Sequence, residues 1–144
     1  MVKYKICKTK NQIIDHFWVR KTVFVEEQKV TMEEEFDLEE KNHTMFVVYD
    51  NHHPIGAARL KIMGHQAKIQ RVCILKTYRF LGYGYSLMME LHKYCQAYGV
   101  SEIILDAQVQ AIPFYEKCGY TAYGDLFYDA RIPHYRMKIT LEKI

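Results

Sequence analysis

The feature that most constrains this chain is a change of hydrophobic period across a glycine-containing loop, YRFLGYG, at residues 78–84. Before the loop, apolar residues come in short β-rich runs. After it, Leu87, Leu91, Tyr94 and Tyr98 fall on one helical stripe, with Met88 and Cys95 beside them. Gly99 stands where a glycine stops a helix, and the short apolar run SEIILDAQV follows. A strand, a crossover helix and a second strand form a βαβ unit, so the two strands run parallel. The loop that opens such a helix carries free N–H groups at a positive dipole end, which suits a phosphate. Gly82 and Gly84 remove side chains that would hold a ligand off the backbone and permit positive φ, and Arg79 adds a charged donor. The same glycines can equally serve a turn alone. A dinucleotide-binding loop does not fit, because its third glycine is replaced by Leu87 and the strands before the loop form a meander.

The remaining elements follow from the same periodicities. VKYKIC reads as a first strand. KNQIIDHFWVRKTVFVEEQ, with Ile13, Ile14, Phe17 and Trp18 at helical spacing, reads as one or two helices broken near Arg20. TMEEEFDLEEKN is acidic and reads as an exposed loop. TMFVVYDNHHPIGAARLKIM contains two β runs around a turn-forming DNHHP, and AKIQRVCILKTY adds a third run entered through Gly64, giving a consecutive antiparallel meander. AIPFYEKCGY is a short helix with Pro113 in its first turn and Gly119 at its end. The tail IPHYRMKITLEKI alternates again and is expected to close the sheet. The class is α+β: a mixed, mostly antiparallel sheet with a central parallel βαβ unit and helices on both faces. With 144 residues, 49% of them hydrophobic, and no Pro/Gly/Ser-rich linker, residues 1–144 read as one domain.

Charge and composition exclude several functions. Residues 1–50 hold 8 basic and 10 acidic side chains, and residues 51–144 hold 12 and 7, with no dense Lys/Arg stripe, so a nucleic-acid partner is not expected. No run of about 18 apolar residues suggests a membrane span, and MVKYKICKTK lacks the apolar stretch of a signal peptide, so the expected location is cytoplasmic. Cys7, Cys73, Cys95 and Cys118 contain no C-x-x-C pair and read as free, mostly buried thiols in a reducing compartment. The 7 histidines show no ligand spacing, so no metal is expected, and His52–His53 read as an exposed turn.

Two of these segments carry a family resemblance. RFLGYG fits the Q/R-x-x-G-x-G/A signature of the GNAT acyl-CoA N-acetyltransferases, and AIPFYEKCGY fits that family's late motif. The order of elements matches as well, so the resemblance covers nearly the whole chain. More narrowly, VFVEEQ, EFD, GAARL, AQVQAIPFYEKCGY and IPHYRM are similar to the ElaA/YjcF-like subgroup.

The resemblance implies acetyl-CoA as cosubstrate, with no metal. It places the coenzyme's diphosphate on the backbone of Arg79, Phe80, Leu81, Gly82, Tyr83 and Gly84, with Tyr85 at the helix start. Main-chain groups of Val72, Cys73 and Ile74 would pair with the pantetheine arm like an added strand. The family's two central parallel strands part there, and Asp106, Ala107 and Gln108 would line the far side of the thioester. Tyr115 is the candidate catalytic group: acyl transfer to an amine expels a thiolate, which a phenol of ordinary pKa about 10 can protonate. The base that accepts the amine's proton is open. The strand before the loop has Lys68, Gln70 and Arg71 where some relatives have a glutamate, leaving Glu27, His134 or water. The acidic run EEEFDLEE either gathers a cationic amine or is simply solvated, and Cys73 and Cys118 read as packing residues.

The implied function is acetyl transfer from acetyl-CoA to a primary amine, small-molecule or peptide, in a ternary complex. The alternative is a non-catalytic acyl-CoA-binding sensor or interaction module. A monomer or a homodimer paired through C-terminal strands fits either reading.

Overall fold

The computed structural model describes residues 1–37 and 40–142, the Glu40 side chain excepted. The chain divides into two compact units, Met1–Lys61 with Arg71–Leu87, and Ile62–Gln70 with Met88 onward. Neither unit is one continuous stretch of chain.

In the first unit, β1 (Val2–Ile6) pairs antiparallel with β2 (Thr44–Asp50), and β2 pairs antiparallel with β3 (His53–Met63) through the expected turn at Asn51 and His52. The apolar runs of these strands supply a core in which Val47, Val48, Ile55 and Leu60 are fully buried. Burial of each such side chain contributes roughly 1.5–3 kcal/mol. Helix α1 (Lys10–Arg20) starts at a capping box, with Gln12 N–H bonded to Thr9 Oγ1 and Gln12 Oε1 accepting from Thr9 N–H, each 3.1 Å. The expected break near Arg20 is a change of winding: residues Lys21–Glu27 continue as a π-helix. Its ladder is marked by Gln28 N–H donating to the Val23 carbonyl at 3.0 Å.

The acidic stretch expected as an exposed loop departs from that reading. Thr31 caps Glu34 in a second capping box and opens the single turn α2 (Met32–Glu35), and Glu35 is buried. Leu38 and Glu39 of that run lie outside the described residues.

The strand β4 (Gln66–Ile74) follows β3. Helix α3 (Tyr83–Ala97) then leads to β5 (Glu102–Gln108). In the second unit, Gln66–Ile69 run parallel to Glu102–Leu105, as the crossover requires. Leu87, Leu91 and Cys95 of the helical stripe are buried, whereas Tyr98, past the helix end, is 63% exposed. Gly99 takes φ +78°, which stops the helix as expected.

After α4 (Ile112–Lys117) come β6 (Thr121–Asp129) and β7 (Ile132–Thr140). The strand order among the described residues is β1-β2-β3-β4-β5-β7-β6, so the tail strand β7 pairs with β5 on one side and β6 on the other rather than closing the sheet. The edge strand β6 was not legible as a strand. Its register shifts between Tyr123 and Phe127 around Gly124 at φ +76°, and it has no buried side chain to impose alternation.

Candidate active site

The glycine loop forms the start of helix α3, with Gly82 as its capping residue. Gly82 has φ +90°, and its carbonyl accepts from Ser86 N–H at 3.1 Å, so it is the N-cap of α3. A Cβ built on Gly82 would meet no atom within 4 Å. A glycine cap offers no side-chain acceptor, so the first-turn N–H groups at Tyr83, Gly84 and Tyr85 lack a partner from the cap. That is the chemistry a diphosphate needs: bare donors, a positive dipole end and open approach. The positive φ expected at both glycines occurs at Gly82 only; Gly84 is already helical, and the second left-handed residue of the loop is Phe80, φ +64°. Phe80 and Leu81 are exposed.

Arg79 precedes this cap and is held on three donors. Its Nε donates to the Ile74 carbonyl at 2.8 Å, and Nη1 and Nη2 donate to the two carboxylate oxygens of Glu27 at 2.6 Å each. The hydrogen bonds from Arg79 hold the Glu27 carboxyl below its ordinary range, which makes it a poor proton acceptor. Two of the residues expected at separate tasks, diphosphate binding and base, are therefore one ion pair.

The strand leading to the loop is tightly backed. A Cβ on Gly56 would lie 2.7 Å from Ile74 Cδ1 and 3.2 Å from the Cys73 carbonyl oxygen. Cys73 is buried, and burial pushes its thiol up to about 12, so it carries no nucleophilic thiolate near neutral pH.

Beside β4 lies a group of charges that sequence reasoning did not single out. Arg20 and Arg59 are fully buried, and Glu35 is 2% exposed. Arg20 Nε donates to Glu35 Oε2 at 2.7 Å, and its Nη2 to the Glu35 carbonyl at 2.8 Å. Arg59 holds Asp37 with Nη1 at 3.1 Å and Nη2 at 2.8 Å. Arg71 reaches both carboxylates, Nε at 3.1 Å from Glu35 and Nη2 at 3.6 Å from Asp37. Glu35 keeps a raised carboxyl pKa because burial outweighs the flanking arginines. The signal available in the sequence was an arginine inside the apolar run GAARL, which requires a buried partner.

In the second unit, Tyr115 lies on α4 and is buried, its ring edge-on to Phe114 and to Tyr120, centroids 5.0 Å and 6.0 Å apart. Tyr120 Oη and His92 Nε2 are 2.7 Å apart and share a hydrogen bond, and burial lowers the His92 pKa to about 4, so the ring is neutral near pH 7. His134 is buried and stacked on Phe127, with Nδ1 2.7 Å from the Ile132 carbonyl. A carbonyl only accepts, so Nδ1 is the donor in this contact. Of the three residues expected opposite the thioester, Asp106 pairs with Lys68 at 3.4 Å, Ala107 is buried, and Gln108 accepts a hydrogen bond from Gln110.

A sequence model of the family "Acetyltransferase (GNAT) domain" matches residues 8–141. The chain belongs to the GNAT acetyltransferase family. It is 43% identical over 137 residues to the uncharacterized N-acetyltransferase YjcF of Bacillus subtilis strain 168, covering 94% of this chain and 98% of that one. A solved structure from Lactobacillus plantarum superposes with a TM-score of 0.91 at 26% identity, covering 98% and 99% of the two chains. Escherichia coli ElaA superposes with a TM-score of 0.86 at 19% identity, covering 96% and 99%. The fold and the acyl-CoA chemistry of the GNAT family follow. No helix among the described residues is long and apolar enough to cross a membrane, and no group of three or more His, Cys, Asp or Glu side chains among them could hold a metal ion.

The GNAT signature brings together Arg79, Gly82, Gly84 and the strand residues Val72, Cys73 and Ile74 within the first unit, with Glu27 added to them. Tyr115, Gln108 and His134 belong to the second unit, where Gln108 and His134 face each other in the β5–β7 register.

Proposed function

We propose that the chain transfers an acetyl group from acetyl-CoA directly to a primary amine in a ternary complex. The observation that supports this most is the glycine-capped start of α3: a left-handed Gly82 with open space where a side chain would project. Residues Arg79 to Tyr85 would hold the diphosphate through main-chain N–H groups, and the backbone of Val72–Ile74 would take the pantetheine arm.

Transfer forms a C–N bond at the acetyl carbonyl and breaks its C–S bond. The amine must give up a proton and the departing sulfur must gain one. Tyr115 would deliver the latter from its phenol. Between the two named acceptors for the former, Glu27 is engaged by Arg79 through both carboxylate oxygens, whereas His134 bonds the Ile132 carbonyl through Nδ1. Holding two reactants in register supplies most of the acceleration in such a mechanism.

Two measurements test the reading. Titration calorimetry with CoA and acetyl-CoA reports binding, and thiol release from acetyl-CoA across a panel of amines reports turnover. Binding with turnover on at least one amine is expected. Absence of binding by folded protein overturns the proposal; binding without turnover on any amine turns it into a sensor.

A further inference from the structure

We infer that Arg71 binds a carboxylate of the acceptor, so that the amine acetylated is one bearing a carboxylate a few bonds from its nitrogen. The inference rests on the acetyl-transfer reading and names its substrate class.

Arg71 differs from the other two arginines beside it. Arg20 and Arg59 are 0% exposed and each holds a carboxylate at 2.7–2.8 Å. Arg71 comes second at both carboxylates. Its Nε lies 3.1 Å from Glu35 yet is not aligned for a hydrogen bond, and its Nη2 is 3.6 Å from Asp37. Nη2 instead donates to the Glu34 and Glu35 carbonyls at 3.2 Å and 3.4 Å, and Nη1 donates to none of the described residues. With its side chain 19% exposed, Arg71 is also the one of the three that solvent reaches. The guanidinium is thus anchored along one edge while Nη1 remains able to donate.

The backbone supports a built position. Arg71 has φ +59°, a left-handed conformation that a non-glycine residue holds only against strain. The alternation of β4 fails at the same place, where Gln70, Arg71 and Val72 are all half-buried. Such a kink redirects a side chain away from the strand's own pattern. Here it turns Arg71 onto the acidic turn, one residue before the segment proposed for the pantetheine arm.

Charge decides which acceptor fits. Among the described carboxylates of the acidic run, Glu35 and Asp37, the two that Arg71 reaches, are bound to arginines, and Glu34 Oε1 accepts from Thr31 N–H. An unadorned ammonium beside Arg71 would meet carboxylates already neutralised and a guanidinium that repels it. A carboxylate on the same molecule matches the guanidinium with a charge-assisted hydrogen bond and brings its amine with it.

The test uses matched sets spanning α- to γ-amino acids: the acid, its carboxamide, and the amine lacking that group. Wild type, Arg71→Gln and Arg71→Lys are compared, with CoA affinity and the unfolding midpoint as controls for folding. For wild type, kcat/KM should favour the acid over the carboxamide by at least tenfold. Arg71→Gln should abolish that preference by losing activity on the acid alone, with KM for acetyl-CoA within twofold of wild type, and Arg71→Lys should fall between. A second readout needs no turnover: N-acetylated acid and its amide are titrated into CoA-saturated protein. Acid-selective binding lost in Arg71→Gln supports the subsite even if no amine is acetylated, in which case the transfer reading alone falls. Turnover without preference for the acid, or a loss in Arg71→Gln shared equally by all three compounds, overturns the inference and leaves acetyl transfer standing.

Discussion

Glu27 grips Arg79 with both carboxylate oxygens, 2.6 Å from Nη1 and 2.6 Å from Nη2, and it does so from the last residue of a π-helix. A π-helical stretch of seven residues is rare, and such segments recur at functional sites. The pair fixes the arginine that leads into the diphosphate loop, since Arg79 Nε is also bound to the Ile74 carbonyl.

Glu27→Gln should therefore weaken CoA binding by roughly three- to tenfold, because the loop's arginine loses its bidentate partner. The pair is half-exposed, so the loss of folding stability should not exceed about 1 kcal/mol. The Glu27 carboxyl is lowered, so its contribution is fully present at neutral pH and disappears only as acid carries the protein down through that lowered pKa. Calorimetry with CoA, and kcat followed across pH 6–9, check this. A pH profile displaced in Glu27→Gln with CoA affinity intact would return Glu27 to the role of base.

Gly82→Ala separates binding from stability. The new methyl group meets nothing in the folded chain, so only the left-handed φ opposes it, at a cost of about 1–2 kcal/mol. If the diphosphate lies against this loop as proposed, the methyl and the loss of the left-handed cap should lower CoA affinity by more than tenfold. Gly56→Ala offers the contrast. Its Cβ collides with Ile74 and crowds the Cys73 carbonyl, so it should destabilise the fold by about 1–3 kcal/mol as well as disturb the strand. Equal CoA affinity in Gly82→Ala and wild type would remove the diphosphate from this loop.

Tyr115→Phe keeps the ring and its edge-on packing against Phe114 and Tyr120. Loss of a proton donor to the leaving thiolate should lower kcat by on the order of 10² or more, with CoA affinity unchanged. Measurement at saturating acceptor separates the two. An unchanged kcat would show that chemistry proceeds without this phenol.

Much of the architecture was legible because it is written in periods and stops. The helical stripe through Leu87 and Leu91, its end at Gly99 and the turn at Asn51–His52 are local features, and each lies where it was expected. What escaped depends on partners remote in sequence. Arg59 sits among Ala57, Ala58 and Leu60, and its meaning depends on Asp37 arriving from a turn 22 residues earlier. Hydropathy registers that a residue is charged but not which residue will neutralise it, so the acidic run read as solvated although Glu35 is buried. Strand β6 escaped for the opposite reason: without a buried face it lacks the alternation by which strands are recognised.

The pair of His92 and Tyr120 gives the fold a pH dependence of its own. His92 Nε2 and Tyr120 Oη share a hydrogen bond at 2.7 Å, and burial lowers the imidazole from its ordinary 6.5 to about 4. The unfolded chain binds a proton at this histidine near pH 6.5, whereas the folded chain resists it until about 4, so stability rises with pH across that window and is lost below it. The full effect amounts to at most about 3 kcal/mol, from 1.36 kcal/mol per pKa unit. Tyr120→Phe removes the hydroxyl that bonds buried His92 Nε2, which should cost about 1–3 kcal/mol at pH 7. That penalty should persist between pH 6 and 4, because the phenol oxygen equally accepts from a protonated ring in wild type and the variant offers no such acceptor. Urea unfolding of wild type, Tyr120→Phe and His92→Gln at half-unit steps from pH 4 to 8 measures both slopes. The His92→Gln variant should lose the component of the slope centred between pH 4 and 6.5, and a slope identical to wild type would assign the acid sensitivity to other groups.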